Sequence, residues 1–259
     1  MLHFVFDIDG TICFNGQYIE DIISDALDDL NKNHELIFAS ARPIRDLLPV
    51  VTRFKDNLLI GGNGSIISYN GVIQVIDYIS NNDYMHLKKL IVEYDLSYII
   101  DGAFDYSAKV DPSNLIYRQL DPMNLAKNVS FEDIEKPIKI ILIDIPANLY
   151  DNISQRLADL GDNISVNYHH RESNIDITAR NINKYTTLKK LIGNRNYIGY
   201  GNDINDYDLL MNAQKSYYIS QDKDIDLDFD VTAVLPKDAT KIALSVHSHL
   251  ENGCDVTDS

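Results

Sequence analysis

Near the N-terminus a short apolar run, Leu2 to Phe6, stops at two aspartates one residue apart, Asp7 and Asp9, which Gly10 and Thr11 follow. A nearly continuous apolar run of this length reads as a strand buried on both faces, as in a parallel sheet. In open parallel sheets ligands bind just beyond the carboxyl ends of the strands. Asp7 and Asp9 are therefore expected at the mouth of a site. Two carboxylates so close repel each other unless a cation or a shared proton intervenes. Taken alone, Asp9-Gly10 is explained equally well as an acidic turn.

The rest of the chain repeats the pattern. Residues 20–34 place Ile22, Ile23, Ala26, Leu27 and Leu30 at helical spacing. Residues 35–39 read as a second buried strand, which ends in Ser40-Ala41-Arg42-Pro43. Pro43 suits the first turn of a helix carrying Leu47, Leu48, Val50, Val51 and Phe54. A third strand, 58–60, runs into Gly61-Gly62-Asn63-Gly64. Strand, helix, strand, helix, strand predicts an α/β fold with a parallel sheet. The rhythm then breaks. Asn70-Gly71 between two apolar runs predicts a hairpin. Residues 81–177 mix hairpins with helices and read as a separate α+β lobe, irregular over 110–136. The parallel rhythm returns with a helix at 184–192, a strand at 197–200 that runs into Gly201-Asn202-Asp203-Ile204-Asn205-Asp206, strands at 217–220 and 231–235, and a helix at 240–250. The expected organisation is a core from 1–80 and 178–259, with 81–177 inserted.

Charge narrows the function. The 259 residues carry a formal net charge of -16, which argues against general affinity for nucleic acid or an anionic membrane. An anionic ligand must be met locally, by a metal ion, a lysine or backbone amides. The two cysteines, Cys13 and Cys254, form no disulfide framework or zinc pattern and suit a reducing cytoplasm. The first apolar run lacks a basic flank and is not expected to be a signal peptide. The acidic surface suits a monomer or a weak homodimer.

Four strand ends thus carry polar residues: Asp7 with Asp9, Ser40, Lys184 at a helix start, and the cluster 202–206. Phosphoryl transfer requires such a set. The transferred group is anionic and needs positive charge and donors. A carboxylate can attack phosphorus, and a second can protonate the leaving oxygen. A magnesium ion held by oxygen ligands lets acids and phosphate coexist.

Asp-Ile-Asp-Gly-Thr-Ile, Ser-Ala-Arg-Pro, a Lys opening a helix, and Gly-Asn-Asp-Ile-Asn-Asp resemble the four ordered motifs of the haloacid-dehalogenase superfamily. The Asn63-Gly64 turn, the large lobe between the second and third motifs and the chain length are similar to its Cof-type sugar-phosphatase branch. The resemblance implies a Rossmann-like core with an inserted α+β cap. It also implies a magnesium-dependent phosphatase of small phosphorylated metabolites, working through an aspartyl-phosphate. Asp7 would be the nucleophile and Asp9 the general acid/base, its carbonyl contributing to the magnesium shell. Gly10 and Thr11 would shape the turn that presents backbone amides to the phosphate. Asp7, Ile8, Asp9, Ser40, Ala41, Lys184 and Asn205 would bind phosphate. Asp7, Asp9, Asn202, Asp203 and Asp206 would serve the metal.

The sequence departs from the pattern twice. Ala41 replaces the usual Gly, and Asn202 stands where the fourth motif usually has its first acid, with Asp203 beside it. Asn202 or Asp203 is expected at the ligand position, with Asp206 in support. Candidate substrate contacts are Arg42, Asn63 and Gly64, and in the cap Asp101, Tyr106, Arg118, His169, His170 and Arg171. Cys13 is expected to pack rather than react. Two other readings are a phosphosugar mutase and a catalytically decayed regulator that binds phosphometabolites.

Overall fold

In a computed structural model of the chain, residues 1–170, 172–222 and 225–251 are described, and two sheets organise them. The elements in chain order are β1 His3–Asp7, α1 Asp21–Asn31, β2 Glu35–Ala39, α2 Ile44–Leu47, β3 Leu58–Gly61, β4 Ile66–Tyr69 and β5 Val72–Val75. The second sheet comes from α3 Asn81–Glu93, β6 Ser97–Asp101, β7 Tyr106–Lys109, α4 Leu115–Gln119, β8 Lys139–Ile143, α5 Ala147–Ala158, β9 Ile164–His169 and β10 Asn174–Ala179. The chain then continues through α6 Lys184–Ile192, β11 Tyr197–Gly201, α7 Tyr207–Met211, β12 Lys215–Ile219, β13 Ala233–Leu235 and α8 Ala239–Glu251.

The larger sheet has eight strands in the order β13-β12-β11-β1-β2-β3-β4-β5. Its strands from β13 to β3 are parallel, and β4 and β5 add an antiparallel hairpin at one edge. β1 lies between β11 and β2, in register with Phe6 opposite Tyr200 and Asp7 opposite Ala39. Phe4 and Phe6 enter one core cluster with residues of α1 and α8, and Val5 enters another with Leu188, Ile192 and Leu209. Burial on both faces is why β1 is apolar without alternation. The Phe6 ring lies 6.1 Å from Phe38 and 4.8 Å from Tyr200. Burying each such ring contributes about 1.5–3 kcal/mol.

The smaller sheet is antiparallel, in the order β7-β6-β8-β10-β9. Here alternation returns. Ile100, Ile140, Leu142, Ile175 and Ile177 pack under α3 and α5. Ile99, Ile141 and Ile143 lie in a separate cluster with Ile116 and Leu120.

The helix expected after Pro43 is only Ile44–Leu47, followed by turns and a short 3-10 segment at Thr52–Phe54. Pro49 explains this, because proline disfavours helix at the residue before it and supplies no N–H of its own. The irregular 110–136 stretch contains α4, capped by Asn114, whose side chain accepts from the amides of Ile116 and Tyr117. No described helix is long and apolar enough to cross a membrane.

Candidate active site

The carboxyl ends of β1, β2 and β11 and the start of α6 converge on Asp7. Its side chain is buried, as are those of Thr11, Ser40, Lys184 and Asp206. Lys184 Nζ donates to Asp7 Oδ1 at 2.6 Å and to Asp206 Oδ1 at 2.7 Å. Thr11 Oγ1 donates to Asp7 Oδ2 at 2.7 Å. Burial and the neighbouring charge of Asp206 push the Asp7 carboxyl up to about 7, against the pull of Lys184 and Thr11. For Lys184, burial disfavours the ammonium, but Asp7 and Asp206 outweigh it and hold the group above the ordinary lysine value.

Local sequence sets each position. Gly10 has φ +84, a conformation that favours glycine, and a Cβ there would fall 2.4 Å from the Asn202 amide nitrogen. The turn closes through the Gly10 amide on the Cys13 carbonyl at 2.9 Å and the Thr11 amide on the Ile8 carbonyl at 3.2 Å. Ser40 Oγ accepts from the Arg42 amide at 3.1 Å. Lys184 opens α6 behind a capping box, with Asn183 Oδ1 accepting from the Thr186 amide and Thr186 Oγ1 from the Asn183 amide. Burial beside Asp9 pushes the Cys13 thiol up, as suits a packing residue.

The fourth motif divides its labour. Asp206 Oδ2 accepts from the amides of Asn202 at 3.0 Å and Asp203 at 3.2 Å, and its other oxygen takes Lys184. Asp203 turns outward and caps the following turn, Oδ1 accepting from the Ile204 amide at 2.7 Å. Asn202 turns inward. One end of its amide lies 2.9 Å from each of Asp7 Oδ2, the Asp9 carbonyl oxygen and Thr11 Oγ1. Of the two neighbours, Asn202 is thus the one brought to Asp7. Asn205 Oδ1 is buried with no hydrogen-bond partner among the described residues.

Among the described residues, no group of three or more His, Cys, Asp and Glu side chains is placed to hold a metal ion. The donors at hand are the Asp7 carboxylate, the Asp9 carbonyl and, with its oxygen inward, the Asn202 amide. Hard oxygen donors of this kind fit magnesium, and the set is poor in charge.

Arg42 engages Asp9. Its Nε donates to Asp9 Oδ2 at 2.7 Å, and one terminal nitrogen donates to Asp9 Oδ1 at 2.6 Å and to the Gly16 carbonyl at 2.8 Å. Above the pair lies a cavity of about 460 Å³ that also reaches Asn15, Ile99, Asp101, Lys139 and Ile141. It lies between the loops that follow β1 and β2 and the second lobe. Of the expected substrate contacts, Arg42 and Asp101 line it; Asn63, Gly64, Tyr106, Arg118, His169 and His170 are not in its described lining. Arg171 lies outside the described residues. The Asn63-Gly64 turn instead braces α6: Thr187 Oγ1 donates to the Gly64 carbonyl at 2.7 Å, and a Cβ on Gly64 would meet the Asn183 carbonyl oxygen at 2.4 Å.

Sequence reasoning missed Arg45. Fully buried, it donates to Asp46 Oδ1 and Oδ2 at 3.0 and 2.9 Å, to Asp101 Oδ1 at 2.7 Å and to the Phe104 carbonyl at 2.8 Å. It also lies 4.9 Å from the centre of the Tyr106 ring. Asp46 Oδ1 accepts the Asp121 amide at 2.9 Å as well. This network ties α2 to the second lobe. The available signal was the Arg45-Asp46 pair amid the apolar positions Ile44, Leu47 and Leu48. Lys139, paired with Asp176 at 2.8 Å, was missed too, because nothing in a strand sequence marks which face meets another lobe.

The comparisons agree with this architecture. A haloacid dehalogenase-like hydrolase from Bacteroides thetaiotaomicron superposes with a TM-score of 0.79 at 16% identity, covering 96% of this chain and 99% of that one. The crystal structure of TM0651 from Thermotoga maritima gives 0.79 at 18%, covering 95% and 97%. The HAD subclass IIB sugar phosphatase BT4131 gives 0.74 at 17%, covering 96% and 99%. At such identities the likeness establishes the fold, a parallel core with a cap. Among curated proteins none matches the sequence significantly. The sequence model of the haloacid dehalogenase-like hydrolases matches residues 4–225, a span that runs from the first aspartates through the cap to the fourth motif. The chain belongs to that family.

Proposed function

We propose that the chain is a magnesium-dependent phosphatase of small phosphorylated metabolites that works through an aspartyl-phosphate on Asp7. The observation that carries this reading is the buried Lys184, held at 2.6 Å from Asp7 and 2.7 Å from Asp206, with Asp9 and its cavity adjacent. Asp7 attacks phosphorus, and the P–O bond to the leaving group breaks. Asp9 gives its proton to the departing oxygen, then takes one from the water that cleaves the aspartyl-phosphate. Both Asp9 oxygens are engaged by Arg42, so this proton transfer requires Arg42 to give way as substrate enters. Lys184 keeps Asp7 oriented and offsets phosphate charge. Ser40 and the turn amides bind phosphoryl oxygens. Asp7, the Asp9 carbonyl and Asn202 would hold magnesium, which supplies charge neutralisation at the phosphoryl group.

The leaving group is assigned to the cavity. Its volume of about 460 Å³ suits a sugar-phosphate-sized molecule. Ile99 and Ile141 offer an apolar wall, and Asn15, Gln119 and Lys139 offer polar contacts. The test is phosphate release from an aryl phosphate and a sugar-phosphate panel, with magnesium and with chelator. Release that requires magnesium supports the reading. Isomerised product without release would favour a mutase, and retained ligand without turnover a binding protein.

A further inference from the structure

We infer that Asn202 is a two-position amide: it closes the metal site with its own N–H groups when magnesium is absent, and turns over to present Oδ1 when the ion binds. This rests on the metal-dependent reading above and concerns what this chain has done to that site.

The argument starts from the inward end of the side chain. It lies 2.9 Å from Asp7 Oδ2, the Asp9 carbonyl oxygen and Thr11 Oγ1. With Oδ1 inward, an oxygen faces three oxygens. The one hydroxyl hydrogen available, on Thr11, is also claimed by Asp7 Oδ2 at 2.7 Å. Acceptors packed against acceptors without a proton or cation between them are unfavourable. With Nδ2 inward, the two N–H hydrogens of the amide face these three acceptor oxygens, so the metal-free loop is held together by hydrogen bonds. A cation reverses the preference, because it repels N–H donors and attracts the amide oxygen. The change is a half-turn about a terminal torsion whose preferences are broad and roughly two-fold. Gly10 makes room for the outward end; any Cβ there would collide with it at 2.4 Å.

A carboxylate at 202 has no such alternative. It carries no donor for the metal-free state and a full charge for the metal-bound one. Nor are the neighbouring acids free to substitute. Both oxygens of Asp206 are taken by Lys184 and the backbone amides of 202 and 203, and Asp203 caps the turn at Ile204. Asn202 therefore exchanges magnesium affinity for a site that stays assembled without the ion.

The experiment follows thermal unfolding and magnesium titration calorimetry of the whole chain and of Asn202→Asp and Asn202→Ala, in chelator and in magnesium chloride. Asn202→Asp is expected to bind magnesium at least about tenfold more tightly, since it adds a charge at the ion. In chelator it is expected to melt lower by about 3–8 °C. Asn202→Ala is expected to melt lower in chelator without any gain in affinity. If the parent and Asn202→Asp both bind magnesium with equal affinity and melt alike in chelator, the inference fails and the metal-dependent reading stands. If no form binds magnesium, both fail. Should Asn202→Asp not fold under either condition, Asn202→Ala decides: a metal-free melting temperature equal to the parent's overturns the inference.

Discussion

Among the described residues two buried cations, Arg45 and Lys184, each lie between two carboxylates, and they do different things. Arg45 spends its donors on Asp46, Asp101 and the Phe104 carbonyl, and Asp46 accepts a further amide from Asp121. Burial, joined by the neighbouring charge of Asp46, raises the Asp101 carboxyl, and Arg45 opposes this. Lys184 also bridges two acids, and the second oxygen of Asp7 meets Thr11 and the Asn202 amide. Burial and Asp206 push Asp7 up to about 7. One network ties α2 to the second lobe; the other gathers the ends of β1 and β11 and the start of α6 around Asp7. The same charge composition therefore serves docking in one place and a candidate site in the other, according to which elements it joins.

The largest effect should come from Asp7→Asn. Losing the proposed nucleophile is expected to cost at least about 10⁴-fold in phosphate release, read as kcat on an aryl phosphate. The same variant should be as stable as the parent in chelator, or more so, because it removes a charge from a cluster with two acids and one base. An Asp7→Asn protein that unfolds more easily would place this network in the structural class with Arg45 and break the comparison.

The reverse outcome is expected for Arg45→Met. It leaves Asp46 and Asp101 buried without their cation, which costs about 3–5 kcal/mol. Urea unfolding measures it. In folded protein the cap wall of the cavity loosens, so KM should rise while kcat at saturating substrate falls much less. Lys184→Met sharpens the contrast from the other side. It is expected to lower kcat by about 10²–10³-fold, the scale of removing a preorganised charge-stabilising group. Its stability loss should be smaller than that of Arg45→Met, since Asp7 can take up a proton. Equal stability losses in the two variants would contradict that ranking.

The half of this contrast centred on Asp7 was legible in the sequence as a convergence of strand ends, and the half centred on Arg45 was not. Asp7, Ser40 and Asn202 lie at ends of strands that the apolar runs announce, and a parallel sheet brings adjacent strand ends together regardless of detail. Lys184 followed from its place at a helix start. Arg45 and Asp101 meet only because two lobes dock, and no local periodicity encodes docking. The same reason hid the role of Gly64, whose partner Asn183 is far along the chain. Asp203 and Asn202 are adjacent, and only the backbone turn decides which faces inward. The helix expected across Pro49 failed for a local reason, the apolar spacing having outvoted the proline.

The smallest effect concerns a half-buried titratable group whose charged neighbours among the described residues are basic. His249 on α8 packs its ring 5.1 Å from that of Phe4, and its Nε2 lies 3.1 Å from the Tyr200 hydroxyl. Burial, with Lys215 and His34 adding to it, lowers its pKa from 6.5 to about 4. Between those values the unfolded chain binds a proton that the folded one refuses. Stability from this residue is therefore full above pH 6.5 and is lost as pH falls toward 4. The loss is about 2–3 kcal/mol at most, reduced because the ring is only partly buried. His249→Gln keeps a polar partner for Tyr200 and removes the titration. Urea midpoints at neutral and mildly acidic pH should converge less in the parent than in His249→Gln. If the two proteins lose stability in parallel on acidification, the acid sensitivity belongs to the paired networks and not to His249.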